Sequence, residues 1–230
     1  MLPGSSEYNY KPPLGSSINW NHPLSQGLVN CFLFNERTGL RIYDACEKPT
    51  FGTLINGPIF LHNSSEGIFF DGSNDYISFV PNDIFNIGTG DFTLLAWHKT
   101  SYKSNYSTIM SLDDGNGTGY LLYTAINSGV LRNWVAGVPK NGNIDICTGI
   151  WNLIGLTRTA GLCTQYVNGV IDTTFTASGV LQISGRTLSI GQNANSYYYN
   201  GNISTVQIYN RSLSQKEILQ NFNATKGRYM

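Results

Sequence analysis

Three adjacent tyrosines, Tyr197, Tyr198 and Tyr199, stand among Asn193, Asn195 and Asn200. This is the side-chain chemistry of a sugar platform, in which flat rings take apolar faces and amides take hydroxyls. Tyr102, Tyr106 and Trp134 are further aromatic candidates on other segments. In an extended run, alternation turns the middle tyrosine away from the outer two, so only part of the cluster can line one site. The same rings would equally suit a sheet edge or a subunit contact. Other reactive groups are scattered. His22, His62 and His98 lie far apart with no ligand spacing, and His98 follows Trp97 in a strand-like run, which suits a structural role. Cys31, Cys46, Cys147 and Cys163 lack Cys-x-x-Cys spacing. Free thiols are the expectation, with one or two disulfides as the alternative. There is no nucleophile-elbow pattern.

The elements that must position these residues are mostly strands. Apolar and aromatic runs predict strands at 27–34, 67–70, 75–80, 92–99, 107–112, 120–126, 131–137, 151–159, 162–168, 170–175, 186–190 and 202–210. Phe92 to Lys99 has apolar residues on both faces, as a central strand covered on both sides requires. Ala160-Gly161 and Asn168-Gly169 read as tight hairpins. In the last strand Ser204, Val206 and Ile208 share a face, Ile203 is out of phase, and Gly201 suggests a bulge. Ser214 and Glu217 form a capping box, Leu213 and Ile218 a hydrophobic staple, and Ile218, Leu219 and Phe222 an apolar stripe. That helix is too short to stand alone and must dock on a sheet.

Composition sets the limits. The 230 residues carry 25 Gly, 14 Tyr and 11 Phe with 12% charged residues and net charge zero. An all-β unit of this size is commonly one domain. Balanced, scattered charge predicts no nucleic-acid partner and no anionic membrane surface. No apolar run reaches membrane-span length, and the N-terminus lacks a signal-peptide core. Residues 1–18, with Pro3, Pro12 and Pro13, read as an extended arm preceding a domain over 19–230. Tyr8 and Tyr10 would be its anchors on a neighbouring subunit.

The segments GIFFDGSNDYISF, FTLLAWHK, WNLIGLTRT, LCTQYVNGVID, LSIGQ and YNGNISTVQIYNRSLSQKEI occur in this order. Together they resemble the laminin-G-like jelly rolls of the concanavalin A-like lectin/glucanase superfamily, from about Gly27 to Tyr229. SSINWNHPLSQGLVNCFLFNE and the ending NFNATKGRY are similar to versions in tailed-phage and other viral structural proteins. The resemblance implies an all-β sandwich of two antiparallel sheets, one of them concave, with adjacent terminal strands and one short C-terminal helix.

Glucanases of the superfamily alternate carboxylates along one strand so that acid and nucleophile face one groove. Here Glu7, Glu36, Glu47, Glu66 and Glu217 have no acidic neighbour at that spacing, so no hydrolase of that type is expected. Many relatives hold a structural calcium through oxygen ligands. That role would fall on Asp71, Asn74 and Asp75, with Asp44 as a distant partner, and a capped turn is the alternative. Asp113, Asp114 and Asn116 form a second, similar loop. The expected function is a non-enzymatic structural or attachment module in a virion, as a capsid decoration or tail component. It would contact other virion proteins through Met1 to Ile18, or a second copy of itself. The alternative is an extracellular lectin-like module that binds a surface glycan through Tyr197, Tyr198, Tyr199, Asn195 and Trp134.

Overall fold

The computed structural model describes residues 10–46, 50–62, 67–81, 87–112, 119–125, 127–181, 185–193 and 196–230. Its strands are β1 (Leu28–Phe32), β2 (Arg41–Tyr43), β3 (Phe51–Ile55), β4 (Ile59–Leu61), β5 (Gly67–Asp71), β6 (Tyr76–Phe79), β7 (Phe92–Lys99) and β8 (Ser107–Leu112). They continue with β9 (Tyr120–Thr124), β10 (Val130–Val135), β11 (Val138–Asp145), β12 (Trp151–Thr159), β13 (Leu162–Val167), β14 (Val170–Thr176), β15 (Ser189–Ile190) and β16 (Asn200–Tyr209). A single α-helix among the described residues, α1 (Gln215–Thr225), follows. One sheet runs β14-β13-β12-β7-β16-β5-β4, with β1 also paired to β16. The other runs β11-β10-β9-β8-β15-β6-β3-β2. All pairs are antiparallel, and the adjacency of β1 and β16 brings the terminal strands together as the sandwich requires.

Alternation on β7 explains the layers. Phe92, Leu94 and Ala96 enter the core between the sheets, where Phe70, Leu122, Leu131, Ile154 and Ile208 meet them. Leu95 and Trp97 point the other way, into a second apolar cluster with Trp151, Tyr209, Leu213, Ile218 and Tyr229. Helix α1 covers that outer face. Its capping box forms: Ser214 Oγ accepts from Glu217 N, and Glu217 Oε2 accepts from Ser214 N at 2.8 Å. Leu213 and Ile218 close the staple inside the cluster. Leu219 departs from the expected stripe and is 41% exposed, lying against the Gly169 turn, while Asn221 takes the buried place.

The bulge on β16 is real and changes its faces. The register with β7 shifts between Ile203 and Thr205, so Ile203 joins Val206 and Ile208 in the core. Ser204 leaves their face, and its hydroxyl meets Tyr229 Oη at 2.8 Å. Both expected hairpins turn on left-handed residue pairs, Ala160 and Gly161 at φ 47° and 86°, and Asn168 and Gly169 at φ 52° and 84°, which match strand twist. All four cysteines are buried free thiols. Burial raises the pKa of Cys31 and of Cys163 to about 12, with the nearby Asp44 carboxylate adding to it at Cys31.

Residues 1–9 of the expected arm lie outside the described residues. From Lys11 onward the segment is tied to its own sandwich. The Lys11 ammonium is buried and donates to the carbonyls of Leu33 and Ser204, and Asn35 Nδ2 donates to Pro12 O.

Candidate functional site

Strands β8, β9, β10 and β11 lie side by side, and their register aligns Thr108, Tyr123, Arg132 and Asn141 as successive cross-strand partners. Such partners project to one face. The intervening residues Leu122 and Leu131 enter the core, so this row lies on the outer face of the second sheet. Arg132 is its centre. Nε donates to Tyr123 Oη at 2.6 Å and Nη1 to Asn141 Oδ1 at 2.6 Å. The guanidinium carbon stands 5.8 Å from the ring centres of Tyr106 and Tyr123 and 6.0 Å from that of Trp134. Tyr106 meets Tyr123 edge-on at 5.4 Å and Tyr197 edge-on at 5.3 Å. Burial raises the Tyr123 phenol pKa, and the Arg132 hydrogen bond opposes that shift, so the hydroxyl stays protonated at neutral pH.

Tyr197 reaches this group from a different segment. After β15 the chain folds back through paired backbone bonds between Asn193 and Ser196, at 2.9 and 2.7 Å. Tyr197 then adopts a left-handed backbone, φ 51°, and its carbonyl accepts from Thr108 N at 2.8 Å. The ring is 42% exposed at the rim of the cluster.

The left-handed residue also breaks the alternation expected for the tyrosine run. Tyr199 does not share a face with Tyr197: it is fully buried in the core, with its hydroxyl on His98 Nδ1. It is therefore removed from the set that can touch a ligand. Tyr198 is half-buried, and Asn195 lies outside the described residues. Trp134 sits on strand β10, within the expected strand at 131–137, and Arg132 lies near both its ring and that of Tyr106. Tyr123, Arg132 and Asn141 were missed. The signal for the first two was present, since Tyr123 alternates with the apolar Leu122, and Arg132 and Trp134 alternate with Leu131 and Val135.

The expected calcium residues serve a turn. Asp71 Oδ1 accepts from Ser73 N at 2.8 Å, and Asp75 Oδ2 accepts from Asp71 N at 3.1 Å. Asn56 Nδ2 donates to the Asn74 carbonyl. Burial raises the Asp75 pKa, and the Asp71 charge adds to it. Asp44 is engaged elsewhere, accepting from the backbone of Cys31 and Cys46 and from Asn30 Nδ2. One oxygen each of Asp71 and Asp75 is turned to an amide of the loop, which is the geometry of the capped-turn alternative. No group of three His, Cys, Asp or Glu side chains among the described residues has metal-binding geometry. Asp113, Asp114 and Asn116 lie outside the described residues.

A family model described as the concanavalin A-like lectin/glucanases superfamily matches residues 71–219. No curated protein sequence matches the chain. Among solved structures, the binding domain of botulinum neurotoxin DC in complex with SialylT is similar, with TM-score 0.72 and 16% identity, over 88% of this chain and 52% of that one. The same toxin's binding domain in complex with rat synaptotagmin II aligns with TM-score 0.70 and 16% identity, over 87% and 52%. The binding domain of Paraclostridial Mosquitocidal Protein 1 gives 0.72 and 16%, over 87% and 53%. The chain thus spans about half the length of these solved chains, and at this identity the likeness establishes the fold.

Proposed function

The chain belongs to the concanavalin A-like lectin/glucanases superfamily, and from that premise we propose that it is a non-enzymatic attachment module that binds a surface glycan. The observation that carries this reading is the arrangement of Tyr106, Tyr123 and Trp134 around Arg132 on the outer face of one sheet, with Tyr197 packed edge-on against Tyr106 at its rim. The exposed Tyr197 and the half-buried Tyr106 offer stacking area at the sheet face, and their phenols and the exposed Asn141 offer hydrogen bonds at its edge. Solved domains of this fold are named for complexes with SialylT and with a synaptotagmin, which agrees with a binding role. The absence of alternating carboxylates in the sequence supports a role without hydrolysis.

The experiment is a glycan array probed with the wild-type chain, Tyr197→Ala and Trp134→Ala. Wild-type hits lost in both variants support the site. A blank array, or hits that survive both substitutions, would refute it. Virion association is a separate proposal resting on the two terminal sequence stretches. Its test is whether antibody to the chain labels purified particles.

A further inference from the structure

Resting on the glycan reading above, we propose that this site selects acidic saccharides, and that Arg132 is the residue that reads the acid. A guanidinium keeps its charge at every accessible pH, and its planar fork fits a carboxylate or sulfate. Several other cations of the fold are committed. Lys103 pairs with Asp145, Arg211 pairs with Glu217, and Arg158 donates to the carbonyls of Gly88, Gly90 and Gly179. Arg132 differs from the carboxylate-paired Lys103 and Arg211 in having two neutral partners, Tyr123 Oη and Asn141 Oδ1, and from the fully buried Arg158 in lying half-buried on an outer sheet face. Among the described residues no carboxylate pairs with it, and Nη2 has no acceptor.

The rings of Tyr106, Tyr123 and Trp134 attract the cation through their quadrupoles but bring no counter-charge. The two neutral bonds fix the plane of the guanidinium before any ligand arrives, which lowers the ordering cost of binding. A second polar group stands on the same row: Thr108 is 1% exposed, faces the side of Tyr123, and its hydroxyl has no partner. A saccharide bearing a carboxylate or sulfate would place its acid at Arg132 and its ring against the exposed Tyr197.

The test is an array of matched pairs, among them 3′-sialyllactose and 3′-sulfolactose against lactose, followed by titration calorimetry of the full chain with the same three sugars. The acidic member should bind at least about tenfold more tightly, as a charge-assisted hydrogen bond warrants. The carboxylate and sulfate arms identify which acid is preferred. Arg132→Gln should bring the acidic sugars down to the neutral level, and Arg132→Lys, with charge but no fork, should restore part of the preference. Thermal melts of both variants verify folding, and the wild-type ratio between matched sugars decides the matter independently of either variant. Equal binding of acidic and neutral members, or an acidic preference intact in Arg132→Gln, overturns the selectivity while leaving the glycan reading in place. A blank array overturns both.

Discussion

His98 Nδ1 lies 3.0 Å from the Tyr199 hydroxyl, joining β7 to the start of β16 inside the sandwich. Both residues are fully buried, and His98 Nε2 has no protein partner. Tyr199→Phe leaves both ring nitrogens unpaired, so it should cost about 1–3 kcal/mol of stability. Urea unfolding measures this. Glycan binding at the Tyr197 rim should persist, which separates the third tyrosine of the run from the first. A variant as stable as wild type would show that the bond contributes nothing.

The same burial makes the fold acid-sensitive. Desolvation lowers the His98 pKa from 6.5 to about 3, so the folded ring stays neutral where the unfolded one takes a proton. The unfolded state then binds more protons, and stability falls as pH drops from about 6.5 toward 3. Asp44, Glu36 and Asp75, whose pKa values burial raises, act in the opposite sense as pH changes through their own range. Comparing wild type with His98→Gln isolates the histidine. Unfolding free energy measured from pH 7 to 5 should decline less steeply in the variant, and parallel slopes would contradict the assignment.

Helix α1 depends on one carboxylate. Glu217 accepts from Arg211 Nη2 at 2.7 Å with one oxygen and from Ser214 with the other, and the Arg211 bond is the main cause of its pKa of about 2. Arg211 also donates to Gln26 O, so the cap is linked to the turn before β1. Glu217→Gln should cost about 1 kcal/mol at pH 7, the usual scale of a lost cap or a partly exposed ion pair. The carboxylate is stabilising above pH 4.5, and its contribution disappears as pH falls from there through about 2. The wild-type advantage in melting temperature should therefore be present at pH 7 and largely lost by pH 2.

What the sequence disclosed follows from how strongly each element is specified locally. The doubly apolar run of β7, the Asn168-Gly169 turn and the Ser214–Glu217 box each name their own geometry, and the fold confirms all three. Strand β11 has no counterpart among the expected strands because its residues, Pro139 and Asn141 among them, are those of an exposed edge strand with little apolar patterning. The short strands β2, β3 and β4 carry too few residues for periodicity to register. The site was only half legible. Tyr197 and Trp134 are candidates by residue type, but the gathering of Tyr106, Tyr123 and Trp134 at Arg132 depends on the pairing of β8, β9 and β10, which no local pattern states. Tyr199 was misassigned because one left-handed residue defeats an alternation argument.

That left-handed residue supplies the last prediction. A bulky side chain at φ 51° costs about 1–2 kcal/mol relative to residues that tolerate this region. The chain nevertheless places Tyr197 there, with its ring 42% exposed and its edge against Tyr106. Strain kept at an exposed aromatic is the pattern of a functional residue, because packing alone would be served better by asparagine or glycine. Tyr197→Asn should therefore leave the melting temperature unchanged or raise it, while abolishing binding on the array. A clear loss of stability would mean that the Tyr106 contact outweighs the backbone strain and that the ring is there to hold the loop.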